Sequence, residues 1–92
     1  MVYVQIVKKR LGGINMSRID LTQMKTGESG TVIELYGGYG MVTRLEAMGI
    51  RPGVMLTKVS SQIMRGPVIV KIGTTQVAIG FGMARKVIVR VD

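Results

Sequence analysis

Ten residues, Arg44–Gly53 (RLEAMGIRPG), restrict the folds open to this chain more than any other stretch. They read as the last turns of a helix, a glycine stop and a tight turn into a strand. Gly49 falls just past the last helical residue, where a positive φ is cheap only for glycine. With Gly49 at C′, Ile50 becomes C″ and Leu45 becomes C3, the pair whose apolar contact closes such a cap. Pro52-Gly53 then supplies a preset φ followed by a position tolerant of positive φ, the pattern of a type II turn.

The flanking sequence supplies the strands. Thr31–Tyr36 is β-branched and apolar, and Gly37-Gly38-Tyr39-Gly40 breaks it. A helix is expected at about Met41–Met48, with Met41, Leu45 and Met48 on one face, Val42 widening it, and Thr43, Arg44 and Glu46 pointing away. Val54–Val59 reads as a second strand and Ser60–Gly66 as a polar loop. Pro67–Ile72 and Thr75–Ile79 flank Gly73-Thr74, a two-residue connection with glycine first, which fits a type II′ hairpin. Gly80–Arg85 reads as a turn or a one-turn helix. Val87, Val89 and Val91 alternate with Ile88 and Arg90 in a final strand. Upstream, Leu21, Met24 and Gly27 suggest a short helical or irregular lead-in. The expected architecture is mainly β: a small barrel of about five short strands with one inserted helix.

Residues 1–18 read as an N-terminal extension and residues 19–92 as the domain. In the extension Val2, Val4 and Ile6 alternate with Tyr3 and Gln5, and a basic cluster with Leu11-Gly12-Gly13 follows. Disorder is its simplest reading; an added edge strand, or translated sequence upstream of Met16, is the alternative.

At 92 residues the chain has room for one small core. With 47% hydrophobic and 20% charged residues it is not composed like a disordered chain. It contains neither cysteine nor histidine, which removes disulfides, thiol nucleophiles, the usual zinc ligands and the commonest general base together. No apolar run approaches the ~20 residues of a membrane helix, and a cytoplasmic location is expected. The net charge of +8 favours an acidic partner, a nucleic acid or the inner membrane surface. Yet four of the basic residues lie in the extension, and those of the domain are spread singly apart from Arg85-Lys86.

The chemistry-bearing residues argue against an enzyme. Gly38–Thr43 (GYGMVT) nearly matches a dinucleotide-binding loop, but the third glycine is missing and no repeated strand–helix–strand unit accompanies it. The carboxylates Asp20, Glu28, Glu34, Glu46 and Asp92 contain no pair at helical spacing, and a transition-metal site favours imidazole or thiolate beside carboxylate. No tight intrinsic metal site and no cofactor are expected. The eight methionines could ligate a soft metal, but Met41 and Met48 read as core filler. Ser17, Ser29, Ser60 and Ser61 have no histidine to activate them, and Lys58 or Lys71 would have to be buried to act as a base. Single-stranded nucleic acid is the rival ligand. Only Tyr36 and Tyr39 of the four aromatics lie close in sequence, a poor stacking platform.

The ordered combination of Leu21, Gly27 and Gly30, RLEAMGIRPG, the Gly66-Pro67 turn, VIVKIGTTQVAIG and ARKVIVRV resembles the FeoA family, small cytosolic partners of the bacterial ferrous iron transporter FeoB. The resemblance spans about Ile19 to Val91. Lys58 departs from it, standing where the pattern more often has an apolar residue. The resemblance implies an SH3-like barrel and a non-enzymatic role in ferrous iron uptake, docking on the cytosolic GTP-binding region of FeoB. Such docking would recruit the protein to the inner membrane face. The helix–turn region, with Tyr39, Arg44, Glu46 and Arg51 exposed, is the expected docking face. Open strand edges are a second surface, for self-association or for an added partner strand.

Overall fold

The computed structural model describes residues 17–61 and 65–91. Within them the order is β1 (Ser17–Asp20), a 3-10 turn η1 (Leu21–Gln23), β2 (Ser29–Leu35), α1 (Tyr39–Ala47), β3 (Met55–Ser61), β4 (Val68–Ile72), β5 (Thr75–Ile79), α2 (Phe81–Ala84) and β6 (Val87–Val91). The strands form one antiparallel sheet in the order β1-β6-β2-β3-β4-β5.

One face of that sheet is apolar. Val87, Val89 and Val91 of β6, Val32 of β2, Leu56 of β3, Val68 and Val70 of β4 and Ile79 of β5 are buried. Ile19 from β1 and Val77 from β5, at the two ends of the sheet, pack against the same cluster. A single sheet whose opposite ends share one core has curled on itself, which makes the molecule an SH3-like barrel. Leu45 from α1, Ile50 from the following turn, Leu21, Met24 and Ala84 complete the core. Register shifts within β2 and β3 provide the local bends that curling requires. Gly30 lets β6 cross closely: a Cβ there would meet Val91 Cγ1 at 2.9 Å.

The helix-to-strand connection forms as the sequence dictates. The Gly49 amide donates to the Glu46 carbonyl at 3.0 Å and the Ile50 amide to the Leu45 carbonyl at 3.0 Å, with Gly49 at φ +91°. That is a Schellman cap, with Leu45 and Ile50 both buried. The Val54 amide donates to the Arg51 carbonyl at 3.1 Å, with Gly53 at φ +95°, closing the type II turn. In the β4–β5 hairpin Gly73 alone takes positive φ, at +63°, as a type II′ turn requires.

Three expectations shift. The sheet has six strands rather than about five, because Ser17–Asp20 pairs with β6 (Ser17 with Val91, Asp20 with Ile88). Ser17 and Arg18, assigned by sequence to the extension, therefore belong to the barrel; residues 1–16 lie outside the described residues. The helix begins at Tyr39, two residues before the expected Met41, because Gly38 takes the N-cap position in extended conformation. β3 runs on through Ser61 into the expected polar loop.

Candidate docking surface

The helix and its outgoing turn position the four residues singled out by sequence. All four are exposed, and among the described residues Tyr39 is the most open large apolar side chain, at 86%. At about 100° per residue, Tyr39 and Glu46 fall on the same flank of α1, whereas Arg44 lies on the other side of the buried Leu45. Arg51 reaches back over the helix end, its Nε donating to the Glu46 carbonyl at 3.4 Å. A cation there complements the negative end of the helix. The structure therefore groups Tyr39, Glu46 and Arg51 along one flank and its C-terminal end. Arg44 stands apart.

The start of α1 is bare. Gly38 makes no side-chain cap bond, and the first turn holds no acidic residue. Gly38 and Gly40 have ordinary negative φ, and a Cβ at either would meet nothing within 4 Å. Neither is demanded by the fold, unlike Gly37, at φ +113° with Met41 Cγ 2.9 Å from its notional Cβ. The exposed tyrosine is thus flanked by two glycines whose missing side chains leave room only outside the molecule.

Two polar clusters lie elsewhere. Arg18 of β1 binds Glu34 of β2 and donates to the Tyr36 hydroxyl at 2.7 Å, while that hydroxyl donates to Glu34 at 3.2 Å. The Arg18 side chain holds the Glu34 carboxyl below its ordinary pKa, and Glu34 in turn raises that of Arg18. Tyr36 is therefore committed to tying β1 across β6 to β2, rather than forming a stacking platform with Tyr39.

Lys58 is the feature that sequence reasoning underread. It is 2% exposed, and its Nζ donates to the carbonyls of Met24 at 2.7 Å, Leu21 at 3.1 Å and Thr22 at 3.3 Å. Burial lowers its pKa, against the opposing charges of Asp20 and Glu28. The ammonium staples the η1 segment to β3. Although buried, it is no poised base, since its N–H groups are engaged by backbone. Its place on the inward row, opposite Val70 of β4, was the available signal.

Among the described residues no group of three or more His, Cys, Asp or Glu could hold a metal ion, and no pocket opens. No described helix is long and apolar enough to cross a membrane.

Comparison with known proteins agrees over nearly the whole fold. The FeoA domain model matches residues 19–91. A protein named Fe(2+) transport protein A from Methanocaldococcus jannaschii is 38% identical over 65 residues, covering 71% of this chain and 77% of the relative. The crystal structure of an iron uptake regulatory protein (FeoA) superposes with a TM-score of 0.74 at 32% identity, covering 82% of this chain and 99% of the other. A manganese-dependent transcriptional repressor reaches a TM-score of 0.76 over 88% of this chain, at 20% identity and over 45% of its own length. That likeness is one of fold.

Proposed function

The chain belongs to the FeoA domain family, and from that premise we propose that it is a non-enzymatic accessory protein of ferrous iron uptake. It acts by docking on the cytosolic GTP-binding region of the FeoB transporter, which brings it to the inner membrane face. The reading is supported by the names of its relatives, both tied to iron transport or uptake. The observation that carries it into this structure is the α1 flank. An exposed Tyr39 between two sterically unneeded glycines, with Arg51 at the far end of the helix, leaves room for close approach by another surface and supports this reading. Aromatic and arginine side chains are the usual anchors of such contacts.

The test is titration of the purified chain against the cytosolic region of FeoB. Arg44→Glu with Arg51→Glu should weaken binding at least about tenfold, since like charge across an interface with an acidic partner is costly, while the fold stays intact and the melting midpoint falls only slightly, as anions replace cations at the negative end of α1. Because Arg44 and Arg51 lie on different sides of α1, the single variants separate the flanks, and Arg51→Glu should carry most of the loss. Undiminished binding in the double variant would move the docking face elsewhere. Failure of the wild-type chain to bind would overturn the reading.

A further inference from the structure

β5 is an edge of the described sheet: β4 is its hydrogen-bonded neighbour, and no other described strand pairs with it. In a two-residue hairpin the closing residues, here Ile72 and Thr75, exchange hydrogen bonds. Alternation from that pair turns the backbone groups of Thr75, Val77 and Ile79 towards β4 and those of Gln76 and Ala78 outward. Both outward residues are exposed, and among the described residues no backbone hydrogen bond outside the ladders engages them.

Edges of this kind are normally blocked by charge, proline, a bulge or short length. The β1 edge is four residues long and carries Arg18 and Asp20. β5 reads TQVAI, has no charge or proline, and pairs with β4 in an unbroken register. One edge is defended and the other is not.

We propose that β5 pairs antiparallel with β5 of a second copy of this chain, about a two-fold axis through Val77. In that register Gln76 faces Ala78 of the second copy and Ala78 faces its Gln76. Each pair exchanges both of its N–H···O bonds, so every outward group of the strand is satisfied. Val77, half-buried in the single chain, meets Val77 of the second copy in the closely spaced non-hydrogen-bonded pair and extends the apolar row. The strand is self-complementary and carries no cation with which to select an acidic partner strand. The net charge of +8 does not forbid the pairing. On the described strand paired with β5 the cation is Lys71, opposite Gln76. Its symmetry mate would lie three strand spacings away, roughly 14 Å, against a screening length of about 8 Å.

The experiment needs no transporter, so its outcome is independent of the docking reading. Sedimentation of the wild-type chain from about 1 μM to about 1 mM should show a reversible monomer–dimer equilibrium. Ala78→Pro removes one outward N–H and leaves the β4 ladder intact, and should weaken the dimer at least about tenfold with the melt preserved. Should that variant fail to fold, two charge variants decide. Gln76→Glu with Ala78→Lys sets opposite charges in each pair and should tighten the dimer; Gln76→Glu with Ala78→Glu sets like charges and should weaken it. A chain that stays monomeric throughout, or a dimer indifferent to these variants, would overturn the proposal.

Discussion

Gly49 stands at φ +91°, and a Cβ built there would meet only Ile72 Cδ1, at 3.9 Å. Space is not what requires glycine; conformation is. Gly49→Val should destabilise by more than about 1 kcal/mol, since a β-branched residue fits poorly in a left-handed cap. Thermal melting checks it, and an unchanged midpoint would sink the assignment. Lys58 poses the opposite problem, because its cost and its benefit are both large. Burying an ammonium is unfavourable, but removing it strips the carbonyls of Leu21, Thr22 and Met24 of a donor. An acceptor left buried without a partner costs ~1–3 kcal/mol, so Lys58→Met should lower stability by about that amount in denaturant unfolding. A gain in stability would mean that desolvation of the ammonium outweighs the staple. The Gly49 cap was legible because every group in it lies within six residues of sequence. The Lys58 contacts bridge 34 to 37 residues: alternation with Leu56 marks Lys58 as inward, but a single sequence carries no signal for the carbonyls that meet it.

At the scale of elements, alternation was readable wherever a strand buries one face over several residues, as Val87, Val89 and Val91 do in β6. It failed for β1, where SRID offers one apolar residue and the strand exists because β6 presents a ladder for it. It failed also at the start of α1, where glycines conceal a helical turn. Gly40 lies inside that helix with open space at its Cβ position. Gly40→Ala should therefore stabilise the free protein by ~0.4–1 kcal/mol, through loss of unfolded-state entropy. If the α1 start is where a partner approaches, the same methyl should weaken binding to the cytosolic region of FeoB. Higher melting temperature with lower affinity is the expected outcome of paired melting and titration measurements. Lower stability would show that Gly40 serves the fold. Higher stability with unchanged affinity would remove the α1 start from the interface. The candidate residues themselves were legible as exposed. Their division between two flanks was not, because it depends on where the buried stripe through Leu45 falls.

For the molecule as a whole, the unresolved choice left by the sequence was what a charge of +8 is for. A folded acidic partner and a polyanion respond to salt differently, and the difference is large enough to decide. Charges steering two proteins together act mainly on the association rate and are screened over about 8 Å at physiological salt. Contacts anchored by a buried aromatic persist and govern dissociation. Binding to FeoB should therefore lose several-fold in association rate between about 50 mM and about 500 mM salt, with little change in dissociation rate. A single-stranded oligonucleotide would instead release a counterion for nearly every phosphate neutralised, so that affinity falls as a steep power of salt concentration, with a slope of about −0.7 per contact. The first behaviour is the expected one. Tyr36 is tied into the Arg18–Glu34 cluster and Tyr39 lies on α1, so among the described residues no row of aromatics accompanies the cations. Rate measurements across that salt range, with an oligonucleotide as the parallel ligand, separate the two. A power-law collapse of the FeoB interaction would mean that long-range charge alone holds it, and that the bare α1 flank contributes nothing.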